Sequence, residues 1–318
     1  MVSKPGVVVI GAANMDVAAH AAYALAPCDS TPGTVRHAPG GVARNVAENL
    51  ARLGHAVALL SAVGNDAAGR ELLRHTDAAG VDMRGCWVIE GQPTSSYVSL
   101  HGPDGDMLAA VNDMALVAAI TPERLAASPL LAASAEALFI DANLSEAALQ
   151  WLFAQRRPQA PIFADAVSAF KCRQLAPWLG RVHTLKANLL EAADLCGLPV
   201  QSDADMGAAV RWLHAQGVSN VVISLGARGA YGSFSDGTQC LQSAPPVQLV
   251  NSTGAGDALM AGLLHGHLES MPGREALRFG LGCAAMTLTA LAANHPELSV
   301  GSVQRWLAPN LSGSCDQA

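Results

Sequence analysis

Asn251-Ser252-Thr253-Gly254-Ala255-Gly256-Asp257 runs directly into an apolar helical pattern that continues from Ala258 to His267. Small residues at the entrance to a helix leave successive backbone N–H groups facing outward, and the helix dipole adds positive potential there, so this passage suits an anion. Asp257 falls in the first turn, where a carboxylate suits the helix dipole as a capping acid. What surrounds the passage gives the fold class. Val7 to Ile10, Ala56 to Ser61, Ala137 to Asp141, Ile162 to Asp165, Val182 to Leu185 and Val221 to Leu225 read as strands buried on both faces, being almost continuously apolar. Helical patterns lie between them at Val42 to Leu53, Ala67 to Ala79, Ser145 to Gln155 and Met206 to Gln216. The alternation predicts an α/β fold with a mostly parallel sheet between helices, and ligands outside the carboxyl ends of its strands.

One stretch departs from that rhythm. Cys86 to Ile89, Ser95 to His101 and Met107 to Val111 read as strands, with the turn Gly102-Pro103-Asp104-Gly105-Asp106 between the last two. Together with Thr34 to Ala38 they predict a small β-element, either a lid drawn from segments near 14–38 and 86–114 or an ordinary edge hairpin. From Gly254 to Pro309 the pattern is helical throughout. No internal repeat or linker divides the chain, so residues 1–318 are expected to form one domain.

Composition narrows the function. Of 318 residues, 51% are hydrophobic and 14% charged, which is a globular rather than a disordered balance. A formal net charge of −7 argues against a broad surface for nucleic acid or an anionic membrane. The seven cysteines (Cys28, Cys86, Cys172, Cys196, Cys240, Cys283, Cys315) are scattered singly, which fits a reducing, cytoplasmic setting better than a disulfide framework or a zinc site. The apolar run after Met1-Val2-Ser3-Lys4-Pro5 is too short for a signal peptide, and Leu281 to Ala293 is too short to span a bilayer. Only three lysines occur, Lys4, Lys171 and Lys186.

Four further patterns carry chemistry. Gly40-Gly41-Val42-Ala43-Arg44-Asn45 opens a helix, its paired glycines allowing close approach of the backbone to a ligand and Asn45 offering donors and an acceptor; a polar helix face is the plainer reading. Gly11-Ala12-Ala13-Asn14-Met15-Asp16 follows the first strand but lacks the G-x-G-x-x-G spacing of a dinucleotide site. Lys186-Ala187-Asn188-Leu189-Leu190-Glu191 leads from strand to helix, with Asn188 and Glu191 placed either for a capping box or for a ligand. Ser224-Leu225-Gly226-Ala227-Arg228-Gly229 ends another strand, and no G-x-x-x-x-G-K-[ST] occurs, which disfavours a P-loop kinase.

Taken in order, these patterns resemble the ribokinase-like (PfkB) carbohydrate kinases over about residues 6–308. The resemblance implies a three-layer α/β/α sandwich with a β-lid and ATP-dependent transfer of a phosphoryl group to a hydroxymethyl group. It implies Asp257 as base, with Gly254, Ala255 and Gly256 forming an anion hole. It places Asn14, Asp16, Gly40, Gly41 and Asn45 on the sugar, and Lys186, Asn188, Ser224, Gly226, Gly229 and Thr253 on the nucleotide, with adenine contacts between Ala285 and Asn294. Glu191 would serve Mg2+ through water, and Asn251 a monovalent cation such as K+, although the family usually has Asp there. A homodimer joined through the lid is implied as well.

Cys28-Asp29-Ser30-Thr31-Pro32-Gly33, Ala166-Val167-Ser168-Ala169-Phe170-Lys171-Cys172, Thr94-Ser95-Ser96-Tyr97 and Asn112-Asp113-Met114 are similar to the branch of that family acting on pseudouridine. That similarity adds Ser30, Ser96, Asp113 and Lys171 as substrate contacts, although Asp113 and Lys171 also read as turn and surface residues. Short polar side chains of this kind can read the imide edge of a C-nucleoside. The rival readings are a ribokinase or other nucleoside kinase and, in another class, a non-catalytic nucleoside-binding regulator.

Overall fold

The computed structural model describes residues 6–26, 28–132, 135–154 and 160–308. The N-terminal Met1–Pro5, the expected helix end at Gln155, Pro309 and Cys315 lie outside them. Among the described residues, thirteen strands form two sheets. The main sheet contains β1 (Val7–Ile10), β4 (Val57–Gly64), β5 (Cys86–Ile89), β8 (Ala137–Asp141), β9 (Ile162–Asp165), β10 (Thr184–Asn188), β11 (Asn220–Ser224), β12 (Ala230–Ser233) and β13 (Gln239–Gln242). Its order is β13-β12-β11-β10-β9-β8-β1-β4-β5, parallel from β11 to β5 and antiparallel over β12 and β13.

The helices are α1 (Val42–Arg52), α2 (Ala67–Ala78), α3 (Pro122–Ala126), α4 (Pro129–Ala132), α5 (Glu146–Ala154), α6 (Leu189–Cys196), α7 (Asp203–Ala215), α8 (Ala255–Leu268), α9 (Gly273–Leu288) and α10 (Val300–Leu307). The period-two alternation of β1 shows how they layer. Val7 and Val9 share a buried cluster with Val46 and Leu50 of α1 and Met260 and Leu264 of α8, while Val8 and Ile10 belong to the cluster of Leu149 of α5 and Leu213 of α7. All four β1 side chains are fully buried, each contributing ~1.5–3 kcal/mol of apolar transfer free energy. The three-layer α/β/α sandwich is thus the observed architecture. No helix among the described residues is long and apolar enough to cross a membrane.

The second sheet, ordered β3-β2-β6-β7, contains β2 (Asn14–Ala21), β3 (Gly33–Gly40), β6 (Ser96–His101) and β7 (Met107–Asp113). Directly paired residues share a face, and the register therefore sorts this sheet in two. Ala38, Asp16, Tyr97 and Asn112 form one row, on a face that also carries His20 stacked on His101. Pro39, Met15, Ser96 and Asp113 form the neighbouring row on the opposite face. Along that opposite face run Val17, Val98 and Val111, then Val35, Ala19, Leu100 and Ala109.

Two expectations need correction, and one hairpin is added to them. Cys86–Ile89 is not part of the small sheet: it pairs with β4 at the edge of the main one, where Ser61 to Gly64 offer free parallel partners. The hairpin β12–β13 went unread, although Asp236-Gly237 between its strands is a recognised turn signal. The C-terminal region is not continuously helical, because α9 ends at Leu288 and residues 289–299 form turns before α10.

Candidate active site

α8 begins with Gly254 at φ 82°, a left-handed conformation that glycine adopts without strain. A β-carbon there would also stand 2.0 Å from the carbonyl oxygen of Ala293, so both space and backbone exclude a side chain. The sharp entry frees the first amides of the helix, those of Ala255, Gly256 and Asp257, from any intrahelical acceptor. Asp257 sits in that first turn, 8% exposed, with Nδ2 of Asn45 donating to its Oδ2 at 2.7 Å. Burial, reinforced by the negative charge of Asp165, pushes its carboxyl up to about 7, while Lys186 and the Asn45 hydrogen bond pull the other way. A carboxyl with that proton affinity is suited to exchange a proton near neutral pH.

The carboxyl ends of β9 and β10 supply the opposing charges. Lys186 Nζ donates to Asp165 Oδ2 at 3.0 Å in a buried pair. Burial alone would lower the lysine's proton affinity; Asp165, Glu191 and Asp257 more than offset that and hold it raised. Asn188 caps α6, its Oδ1 accepting from the Glu191 amide at 2.9 Å while Glu191 accepts from the Asn188 amide and from its Nδ2, each at 2.8 Å. The capping box is therefore real. Glu191 is nonetheless 3% exposed, with its carboxyl raised by burial and held back by Lys186, an environment that a cation would complete.

On the other side of Asp257 the N-terminus of α1 and the β1–β2 loop are fastened together. Asp141, fully buried at the end of β8, accepts from the amides of Ala12 at 2.9 Å, Ala43 at 3.1 Å and Asn143 at 2.9 Å. Gly41 permits the approach, since a β-carbon on it would lie 2.5 Å from the Ala12 carbonyl oxygen. Asn14 Nδ2 donates to Asp16 Oδ1 at 2.6 Å, and burial raises the Asp16 carboxyl. Arg44, 1% exposed, donates to the Gly40 carbonyl at 3.1 Å and to Glu48, Asn45 and Asn294. Asn45 is thereby oriented from behind by a buried guanidinium and aimed at Asp257. Asp257 thus meets Asn45 directly, and Lys186 stands near enough to act on the carboxyls of both Asp257 and Glu191.

The structure does not bring every expected residue to this place. Ser96 and Asp113 lie on the face of the small sheet opposite Asp16, and the Asp113 carboxylate accepts from the Ala115 amide as a turn residue. Asn112 occupies the row of Asp16 instead; strand periodicity makes a one-residue difference a change of face. Ser30 is exposed in the β2–β3 connection, beyond the Ala21–Gly33 pair and so at the far end of the hairpin from Asn14 and Gly40. Asn294 is buried against α1, both amide hydrogens engaged by the Asn45 carbonyl and Asn49 Oδ1 at 2.9 Å each, which leaves it no donor for a nucleotide. Asn251 accepts from the Thr253 amide and donates to the Leu291 carbonyl, each at 3.0 Å, shaping the loop before Gly254. Lys171 reaches Asn143 Oδ1, close to Asp141. Ser224 ends β11, with Gly226 and Gly229 in the turn to β12. Sequence reading passed over Asp141, Asp165 and Arg44 as site residues, for each is also an unremarkable strand-end or helix residue.

Fold and site define a phosphotransferase that uses a hydroxyl group as acceptor, and comparison with known proteins agrees. The model of the pfkB family carbohydrate kinases matches residues 4–299. Pseudouridine kinase of Escherichia coli (strain K12) is 41% identical over 303 residues, covering 95% of this chain and 96% of the relative. Among solved structures, a carbohydrate kinase from Agrobacterium tumefaciens superimposes with a TM-score of 0.81 at 31% identity, covering 95% of this chain and 96% of that one. Arabidopsis thaliana ribokinase complexed with ribose and ATP superimposes with a TM-score of 0.78 at 20% identity over 95% of this chain and 98% of its own, a likeness of fold. The chain belongs to the pfkB family of carbohydrate kinases.

Proposed function

We propose that this chain transfers the terminal phosphoryl group of ATP to the 5′-hydroxyl of pseudouridine. The observation that carries the reaction is Asp257, poised near neutrality by burial and fixed by Asn45 in the first turn of a helix whose leading amides are open. The observation that supports the substrate is the 41% identity, across almost the full length of both chains, to a pseudouridine kinase.

In this reading Asp16, Asn14, Gly40, Gly41 and Asn45 hold the ribose, and Asp257 accepts the proton of the hydroxyl as its oxygen attacks. The amides of Ala255, Gly256 and Asp257 stabilise the charge that develops on the phosphoryl oxygens, an arrangement that favours the transition state because no group must reorient during transfer. Lys186 and Asn188 meet the triphosphate, with Ser224, Gly226 and Thr253 at its margin. The donor set fits MgATP: open helix amides and a lysine for phosphate oxygens, and a buried carboxylate at Glu191 whose raised proton affinity a cation would reverse. Magnesium supplies charge neutralisation on the phosphates. Asn251 and its loop belong to the same proposal as a monovalent-cation site, read separately by turnover in potassium against sodium.

The chain acts as one unit in which the small sheet covers the sugar. Its Asp16 face is polar and turned to the substrate; the other face carries Val35, Val98 and Val111, which are 62%, 44% and 71% exposed. These exposed valines, which share their face with His37, Ser96 and Asp113, fit contact with a second copy of the chain. The test of function is product formation: the purified chain with MgATP and pseudouridine, the product read by phosphorus NMR as a 5′-monoester. Phosphorylation of ribose, uridine, adenosine or inosine in preference to pseudouridine would keep the reaction and overturn the substrate.

A further inference from the structure

Asp165 has no part in the roles just assigned, yet it is among the most constrained carboxylates in the molecule. It closes β9 and is 1% exposed. Its Oδ1 accepts from the Val167 amide at 2.8 Å and its Oδ2 from Lys186 Nζ at 3.0 Å. Val167 pays for that arrangement with φ 65°, a conformation that β-branched side chains avoid. Backbone strain of this kind persists where the surroundings over-determine it, and it clusters at functional sites. The Ala166 amide donates to the Lys186 carbonyl at 3.2 Å, so the turn and the lysine are joined through backbone as well. Lys186 in turn reaches beneath α8: a β-carbon on Gly256 would stand 2.6 Å from its Nζ and 3.3 Å from its Cε.

A lysine ammonium on four rotatable bonds is a poor electrostatic catalyst unless something fixes it, because organising it during the reaction would cost what the charge contributes. Here the strained turn aims Asp165, and Asp165 aims the lysine at the helix entrance.

We propose that Asp165 is a positioning residue for phosphoryl transfer, holding the Lys186 ammonium against the first turn of α8 so that a fixed cation meets the transferring group beside the amides of Gly256 and Asp257. The inference rests on the phosphotransfer reading, not on the identity of the nucleoside. In the step, the bond from the γ-phosphorus to the bridging oxygen breaks as the bond to the 5′-oxygen forms. ADP leaves with the bridging electron pair, the hydroxyl proton passes to Asp257, and neither Asp165 nor Lys186 exchanges a proton.

Two measurements test it. With only three lysines in the chain, lysine-specific 15N labelling gives at most three Nζ signals, assigned through Lys171→Met and Lys186→Met. The held ammonium of Lys186 is expected to show a signal protected from solvent exchange at neutral pH, lost in Asp165→Asn. This readout needs neither nucleotide nor turnover. Kinetically, Asp165→Asn is expected to lower kcat by about 10²-fold with both KM values within about threefold, the pattern of an interaction made in the transition state. Lys186→Met is expected to lose as much, and the double variant no more than Lys186→Met alone, because one residue acts through the other. Additive losses, unchanged kcat in either single variant, or a Lys186 signal that survives Asp165→Asn would each overturn the proposal. Should Asp165→Asn fail to fold, an unchanged kcat in Lys186→Met still overturns it. An active wild type with additive losses sinks this proposal alone; a wild type without turnover on any sugar or nucleoside sinks the functional reading with it.

Discussion

Replacing Asp257 by Asn should separate stability from catalysis in opposite directions. The new amide keeps a carbonyl oxygen to accept from Asn45, so the 2.7 Å contact survives, while the negative charge is removed. A buried carboxyl whose affinity for protons rises from 3.8 unfolded to about 7 folded is costly to ionise. At roughly 1.4 kcal/mol per pH unit, that cost is on the order of 4 kcal/mol above pH 7. Because the folded value is the higher one, this contribution to stability is intact below the unfolded value near 4 and is lost as pH rises through about 7. Asp257→Asn should therefore melt several degrees higher than wild type at pH 8, and the difference should shrink as pH falls from 7 towards 4. The same substitution removes the base, and turnover should fall by about 10²–10⁴-fold with nucleoside affinity retained. Calorimetric melting at several pH values and steady-state kinetics read both halves. In the wild type, kcat/KM should decline as pH falls below about 7, where Asp257 of the free enzyme becomes protonated. A variant that is no more stable at pH 8, or that turns over within about tenfold of wild type, would refute the reasoning.

Other outcomes follow from the same geometry. Gly254→Ala combines φ 82° with a β-carbon 2.0 Å from the Ala293 carbonyl oxygen, and should cost about 3 kcal/mol or more in urea unfolding; a loss below about 1 kcal/mol would contradict the close packing. His55, His183, His265 and His267 all have proton affinities lowered by burial. Each folded value lies below the unfolded 6.5, so stability is complete above that pH and falls as pH drops below it; a melting temperature flat from pH 7.5 to 5 would contradict this. Val111→Lys, on the open apolar face of β7, should shift the sedimentation coefficient from dimer to monomer, and a wild-type chain already monomeric at micromolar concentration would remove the second copy from the account.

What the sequence reveals of this site depends on whether a residue's role is local. Asp257, Asn45, Asn188 and Glu191 were legible because each belongs to a short string that itself makes the structure: a glycine entry to a helix, or a capping box. The class of fold was legible for the same reason, since almost uninterrupted apolar runs such as Val7–Ile10 need helices on both faces. Asp141 and Asp165 were not. Each ends an apolar strand and looks like punctuation until parallel pairing sets β8, β9 and β10 side by side, with Asp141 opposite Asp165 and Asp165 opposite Lys186. Ser96 and Asp113 fall on the face opposite Asp16 by a single residue, because the pleat sends neighbours to opposite faces and nothing local in the sequence tells which face a strand residue takes. Asn294 differs from the expectation for another reason: its position near the C-terminal helices suggested the nucleotide, whereas its amide is taken up by α1, far away in sequence.

The central claim is that this site phosphorylates pseudouridine, and competition among acceptors tests it most directly. The purified chain is given MgATP and an equimolar mixture of pseudouridine, uridine, ribose, adenosine and inosine, and each monophosphate is quantified by mass spectrometry during the first turnovers. Pseudouridine 5′-phosphate is expected as the dominant product of the wild type, with its rate of formation lowered by about 10²–10⁴-fold in Asp257→Asn. Preferential phosphorylation of another acceptor, or equal product from the Asp257→Asn variant, would contradict it.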